Sequence, residues 1–386
     1  MRLLMLNNEF PPLGGGTGTV NKALLERFAC VEWLTIDLVT SALGEQSEED
    51  RFSERIRIVK VPVNNRNIHH SSGRELATYA WRGLRQARAL HRQQPYDLCF
   101  AWSAVPAGWV ARRLNRAFAL PYIVRVCGPD LPGFEERYRH LYPFLRPFLR
   151  GVFDDAVETV AKCGVEAGMI RNVAPWVEPR VIRNGVDATA FSVRESTVSY
   201  ADAPMRVICV GRLIRRKGQS YLIEAVSTLL KAGVDVRLEL VGTGDAECEY
   251  RALVRRLGME EHVVFSGYVP REDIARHYAS SDVFVLASFN EGMSVSTLEA
   301  MAAGLPLVVT STGGMEDLVE EGVNGWTFEW RDVRRLSSLL KIFAADGALR
   351  ARMGAASLQR AKSFDWDRVA SQYLLLFAQC GQPEAD

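Results

Sequence analysis

Short apolar stretches recurring between segments of helical periodicity are what most restrict the folds open to this chain. In the first half they fall at residues 2–7, 35–40, 56–61, 98–102, 122–126 and 156–160. Strands joined through helices run parallel, because each helix carries the chain back before the next strand begins. Right-handed crossovers then gather the loops on one edge of the sheet. The polar, irregular stretch 184–204 reads as a linker, and strand-like runs near Met205, Val236, Val263, Val283 and Leu307 repeat the pattern beyond it. The expected fold class is α/β, with two Rossmann-like domains whose parallel sheets face each other, at 1–190 and 200–364. The 386 residues suffice for two cores of ordinary size. A last amphipathic helix is expected from Trp366, since Val369, Tyr373, Leu374 and Phe377 recur at helical spacing.

An apolar fraction of 48% and a net charge of +1 describe a water-soluble globular protein. No apolar run reaches 18 residues, and the N-terminus has a strand pattern in place of a signal peptide, so a cytoplasmic enzyme is expected. The seven cysteines are odd in number and scattered, with no Cys-x-x-Cys pair, which points to neither a disulfide framework nor a zinc site.

Two glutamates eight positions apart, Glu291 and Glu299, lie where the apolar run 283–286 gives way to a loop and a helix. Loops at the carboxyl edge of a parallel sheet are where open α/β folds bind ligands. The amides of Gly292, Met293 and Ser294 precede or cap that helix and offer donors and a partial positive charge to an anion. Two carboxylates beside such a place suit a hydroxyl-rich ligand. The alternative makes Glu299 the third residue of a capping box with Ser296, and Glu291 a solvated loop acid.

A second cluster, Gly211-Arg212-Leu213-Ile214-Arg215-Arg216-Lys217-Gly218, follows the run 205–210 and opens a helix. Cations there oppose the helix dipole unless an anion is bound, and a pyrophosphate meets that requirement. Arg212 and Lys217 are read as phosphate ligands, Arg215 and Arg216 as solvated charges. Near the start, Glu9-Phe10-Pro11-Pro12-Leu13-Gly14-Gly15-Gly16-Thr17-Gly18 joins the first strand to a helix beginning near Val20. The glycines would let backbone approach a phosphate, or they form only a tight turn; the run is neither a dinucleotide fingerprint nor a P-loop.

Together these segments resemble the retaining glycosyltransferases of family 4, also called glycosyltransferase group 1, with the GT-B fold. The resemblance is carried by Pro11 to Gly16, Val181-Ile182-Arg183-Asn184-Gly185-Val186-Asp187, Val210 to Leu213 with Lys217-Gly218, Leu240 to Gly244, Phe265 to Val269, the Glu291 to Glu299 block and Phe364-Asp365-Trp366. It covers nearly the whole chain and is most specific in the second half. It implies that the first domain binds the acceptor, that the second binds a nucleotide-sugar donor, and that the helix at 365–386 crosses back onto the first. Residue by residue, it implies that Arg212 and Lys217 hold the donor pyrophosphate, Glu299 the ribose hydroxyls and Glu291 the sugar. Gly292, Met293 and Ser294 would add backbone contacts, Tyr268 and Val269 would flank the base, and Gly15 or Gly16 would close on the phosphate. The chain departs from the family at Cys127, which stands where a histidine is common in the run leading to Asp130. Asp130 is placed near the acceptor, or is a turn residue before Pro132-Gly133.

The expected reaction is transfer of a sugar from a nucleoside-diphosphate sugar to a hydroxyl of a glycan or lipid-linked acceptor, with retention, no cofactor and no metal. The sole Asp-x-Asp, Asp365-Trp366-Asp367, opens the last helix and reads as a cap. Charge adds an acceptor argument. Residues 51–150 hold 18 Lys+Arg against 6 Asp+Glu, a net of +12, while 191–386 hold 22 against 26, a net of −4. The stretches 74–92 and 140–150 mix arginines with aromatics, as a surface meeting anionic lipid would, or as solvated helix faces over core aromatics would. Cell-envelope polysaccharide or glycolipid synthesis, at the inner face of the cytoplasmic membrane and without nucleic acid, is expected. The rivals are an epimerase or hydrolase on a similar fold, a sugar phosphorylase, and a non-catalytic sugar-nucleotide-binding protein.

Overall fold

The structure is a computed structural model that describes residues 1–65, 71–134, 139–191 and 203–381. It forms two compact units: Met1–Asn184 with Trp366–Asp386, and Gly185–Asp365. In the first unit the strands are β1 (Arg2–Leu6), β2 (Thr35–Ala42), β3 (Glu48–Arg51), β4 (Ile56–Pro62), β5 (Leu98–Trp102), β6 (Tyr122–Arg125), β7 (Glu158–Ala161) and β8 (Arg180–Val181). Helices α1 (Gly16–Phe28), α2 (Gly73–Gln93), α3 (Trp109–Phe118), α4 (Tyr142–Asp154) and α5 (Gly164–Val173) connect them. Sheet order is β3-β4-β2-β1-β5-β6-β7-β8, parallel except for β3 against β4. The strands are apolar at consecutive positions because helices cover both faces: Leu3, Leu4, Met5 and Leu6 of β1 are fully buried.

The second unit has β9 (Met205–Val210), β10 (Val236–Val241), β11 (Val263–Gly267), β12 (Val283–Leu286), β13 (Leu307–Thr310) and β14 (Gly325–Phe328), in the order β11-β10-β9-β12-β13-β14, all parallel. Its helices are α6 (Gln219–Lys231), α7 (Glu247–Leu257), α8 (Arg271–Ala279), α9 (Val295–Ala302), α10 (Met315–Leu318), α11 (Val333–Ala345) and α12 (Gly347–Ala361). The chain order reverses between neighbours β9 and β12, which opens a crevice at their carboxyl ends.

The last helix, α13 (Trp366–Cys380), belongs to the first unit and packs along α1. Phe377 meets Phe28 and Phe100 with ring centroids 5.6 and 5.3 Å apart, and Asp367 accepts from Arg27 Nε at 3.2 Å. Burial of one such phenylalanine contributes about 1.5–3 kcal/mol.

Three details differ from the sequence reading. Helix α1 begins at Gly16, not near Val20, because the glycine run itself turns into the helix with Gly15 as its cap. Strand β3, Glu-Glu-Asp-Arg, is an exposed edge with no apolar signal. The segment read as linker is partly built into the second unit: Val186 and Phe191 are buried in its core, and Asp187 caps a single turn at Ala188–Ala190. Residues 192–202 of that segment lie outside the described residues. Among the described residues, no helix is long and apolar enough to cross a membrane.

Candidate functional site

The loops after β9 and β12 carry the charged residues that the sequence singles out. After β9 the chain makes one tight turn, Arg215–Lys217, which Gly218 ends at φ +66° before α6 starts at Gln219. A Cβ on Gly218 would lie 2.0 Å from the carbonyl oxygen of Ala287, so only glycine lets this turn press against the end of β12. Two further bonds join the loops. The Phe289 amide donates to the Arg216 carbonyl at 2.8 Å, and Arg216 Nη1 donates to the Asn290 carbonyl at 2.5 Å.

That contact brings Lys217 Nζ within 2.5 Å of Glu291 Oε1, with Arg216 Nη1 at 3.9 Å from the same oxygen. The Lys217 and Glu291 side chains are 13% and 11% exposed. Burial pushes the Glu291 carboxyl up, but the charges of Lys217 and Arg216, with the Lys217 hydrogen bond, outweigh it and hold the pKa at about 2. At neutral pH this glutamate can only accept hydrogen bonds. The Glu291 backbone is fixed from the other side: Gly314 donates to the carbonyls of Glu291 and Gly292 at 3.3 and 2.5 Å, and Gly313 crosses the Glu291 carbonyl at φ +56°, where a Cβ would overlap it. Gln219 Nε2 holds the Arg212 carbonyl at 2.9 Å, and the half-buried Arg212 stands at the start of the same loop.

Ser294 is the cap of α9, its hydroxyl accepting from the Thr297 amide at 3.2 Å. Gly292 and Met293 therefore precede the helix, and the Met293 side chain is buried in the core. The capping box between Ser296 and Glu299 does not form, because the cap lies two residues earlier. Glu299 instead accepts from the Tyr278 hydroxyl at 2.9 Å. Burial raises its pKa, against that hydrogen bond and the charge of Arg271. Nor is Glu291 a solvated acid. Of the two arginines read as solvated, Arg215 is, with an 84% exposed side chain near Glu249 at 2.9 Å, whereas Arg216 is packed against Glu291. Its signal was available in the four-cation run, but nothing in that run says which of its members turns inward. Tyr278 had no sequence signal as a partner of Glu299. Tyr268, 70% exposed, and the half-buried Val269 follow β11 at the flank of the same sheet edge.

The remaining predicted residues lie in the first unit. Gly15 caps α1 and donates its amide to Glu9 Oε2 at 3.4 Å, and Gly16 is the first helical residue. Asp130 ties two loops together: its oxygens accept from the amides of Ala104 at 2.5 Å and Cys127 at 3.0 Å, and burial raises its pKa against those bonds. It is a backbone clamp as well as a turn residue. Burial pushes the Cys127 thiol up to about 11, so it is protonated at neutral pH. Beside it the buried Arg125 donates to Tyr373 Oη at 2.9 Å and Asn184 Oδ1 at 2.7 Å, and lies 4.5 Å from the Trp102 ring centroid. A buried arginine ending an apolar strand gave the sequence reading no role to assign. Among the described residues, no group of three or more His, Cys, Asp or Glu side chains is gathered as metal ligands would be.

Residues 197–360 match the family described as Glycosyl transferases group 1. The chain is 27% identical to mannosylfructose-phosphate synthase of Agrobacterium fabrum over 95% of its own length and 87% of that protein's. It is 25% identical to the GDP-mannose-dependent alpha-(1-6)-phosphatidylinositol monomannoside mannosyltransferase of Mycolicibacterium smegmatis, with 92% of each chain covered. Among solved structures, sucrose-phosphate synthase from Thermosynechococcus elongatus superposes with a TM-score of 0.85 at 20% identity, covering 98% of both chains. The last likeness gives the fold alone, the GT-B arrangement of two Rossmann-like domains.

Proposed function

We propose, from the match of residues 197–360 to the family described as Glycosyl transferases group 1, that this chain transfers a sugar from a nucleoside-diphosphate sugar to a hydroxyl of a glycan or lipid-linked acceptor, with retention and without a metal. The observation that carries the reading is the ion pair of half-buried Lys217 with buried Glu291 at the β9/β12 crevice, beside the start of α9. A cation and a permanently ionised carboxylate held side by side match the two ends of an activated sugar. Lys217 and Arg212 take the diphosphate, and Glu291 accepts from sugar hydroxyls. Glu299 accepts from the ribose, and Tyr268 and Val269 flank the base.

In the reaction the bond from the anomeric carbon to the phosphate oxygen breaks, and the electron pair leaves with the diphosphate. Arg212, Lys217 and the amides of Gly292, Met293 and Ser294 meet the growing charge, each such donor lowering the barrier by about 2.7–4 kcal/mol. The acceptor hydroxyl attacks the same face and its proton passes to the departing phosphate oxygen. Asp130 shapes the acceptor loop through the two amides it holds. Glu291, ionised at neutral pH beside Lys217 and Arg216, accepts hydrogen bonds from the sugar and orients it.

An acceptor in an anionic membrane is supported by the surface of α2. Arg74, Trp81, Arg85 and Arg92 are exposed along it, and the helix's only acid, Glu75, is buried in its capping box with Ser72. Phe144 of α4, 82% exposed next to Arg146, adds a second aromatic-cationic edge. The protein would then work at the inner face of the cytoplasmic membrane in cell-envelope glycan or glycolipid synthesis. Incubation with uridine and guanosine diphosphate sugars, with and without lipid extract, tests the activity: acceptor-dependent release of nucleoside diphosphate is expected, with the donor's anomeric configuration kept in the product by NMR. Release without an acceptor, or an inverted product, would contradict the reading.

A further inference from the structure

In the second unit an aromatic cluster joins residues from the two segments that carry Lys217 and Glu291. Trp330, which follows β14, stands edge to face against Phe289, with ring centroids 4.5 Å apart, and against Tyr221 at 6.0 Å. Phe289 lies two residues before Glu291, and Tyr221 lies in the first turn of α6, four residues after Lys217. The Phe289 backbone is itself bonded to Arg216, whose guanidinium returns to Asn290. The Arg331 guanidinium covers the Trp330 ring at 3.8 Å from its centroid. Arg331 holds a backbone φ of +72°, a left-handed conformation unfavourable for a side chain of its size. Among the described residues, no acceptor reaches the buried indole N–H of Trp330.

We propose that Trp330 is a positioning residue for the sugar end of the donor site. Its ring fixes Phe289 against α6, and so fixes the aim of the Glu291 carboxylate relative to Lys217. The inference rests on the donor-site reading of that pair. A rigid aromatic contact suits this work because two flat rings at a fixed tilt tolerate little sliding, and a misplacement of about 1 Å at a reacting centre costs on the order of 10²-fold in rate. The diphosphate is gripped elsewhere, by Arg212, Lys217 and the loop amides. Losing the indole should therefore weaken the transfer step more than nucleotide binding.

The experiment compares native protein, Trp330→Ala, Trp330→Phe and Phe289→Ala, and the double variant Trp330→Ala/Phe289→Ala. Calorimetric titration with UDP and GDP gives nucleotide affinity, and turnover of the sugar nucleotide used by the native protein gives kcat. Trp330→Ala is expected to lower kcat by roughly 10- to 100-fold with little change in the affinity for nucleoside diphosphate. Trp330→Phe should recover most of that loss, since an aromatic ring remains to meet Phe289 and Tyr221. The double variant should be scarcely worse than either single one, because both remove the same contact. Native kcat in Trp330→Ala, equal losses of nucleotide affinity and kcat, failure of Trp330→Phe to recover, or additive losses in the double variant would each overturn the proposal. A native protein that neither binds UDP or GDP nor turns over any sugar nucleotide would overturn the donor-site reading itself, an outcome visible before any variant is made.

Discussion

Glu291 shows how one residue's surroundings decide its chemistry. Its burial would favour the neutral acid, yet one ammonium at 2.5 Å and one guanidinium at 3.9 Å win and take the pKa from its ordinary 4.5 to about 2. A folded-state pKa below the unfolded one means that the unfolded chain binds the proton first. The stabilisation is thus complete above about pH 4.5 and is lost as pH falls through about 2. The shift corresponds to roughly 3 kcal/mol. In Glu291→Gln this pH-dependent part should vanish, so that urea unfolding between pH 4.5 and 2 shows a shallower fall in stability than the native protein does. Curves of equal slope would show that the pair carries no such energy. Lys217 in that variant is left half-buried without its carboxylate, so stability at neutral pH should also drop, by about 1–3 kcal/mol.

At the scale of elements, the site exists because two strand-to-helix connections touch. Gly218 is where they touch: a methyl group there would meet the Ala287 carbonyl at 2.0 Å, on a backbone already at φ +66°. Gly218→Ala should therefore destabilise the second unit by more than the approximately 1 kcal/mol of an ordinary glycine-to-alanine conflict, and should abolish turnover. A variant of native melting temperature and native activity would show that the loops need not be in contact. Much of this level was legible in the sequence. Strands buried on both faces, such as 283–286 and 307–309, are apolar without interruption, and the cation run 212–217 marks the end of the strand 205–210. What escaped has physical reasons. β3 is charged because an exposed edge strand has no core to face, and the start of α1 was hidden because glycine reads as a breaker even where it opens a helix. Ser294 and Ser296 are equally good caps by residue type, and only the backbone's actual turn decides for Ser294. The pairing of Lys217 with Glu291, 74 residues apart, follows from strand order, which neither loop encodes locally.

At the scale of the whole molecule, the chain closes its first unit with its last helix, and the basic charge concentrates in that unit while the second is slightly acidic. Such a division of charge suits one unit for an anionic surface and leaves the other to grip a small anion locally, with cations drawn from a single loop. If α2 meets lipid, the protein should sediment with vesicles containing anionic phospholipid and not with neutral ones, and Trp81→Ala with Arg85→Ala should weaken that binding without changing the turnover of a water-soluble acceptor. Equal binding to neutral vesicles would remove the membrane from the account. The central claim is that Lys217 carries the charge of the leaving diphosphate. Steady-state turnover of the preferred sugar nucleotide by native protein and Lys217→Ala tests it most directly: kcat is predicted to fall by about 10²–10³-fold, and a kcat within error of native would contradict it.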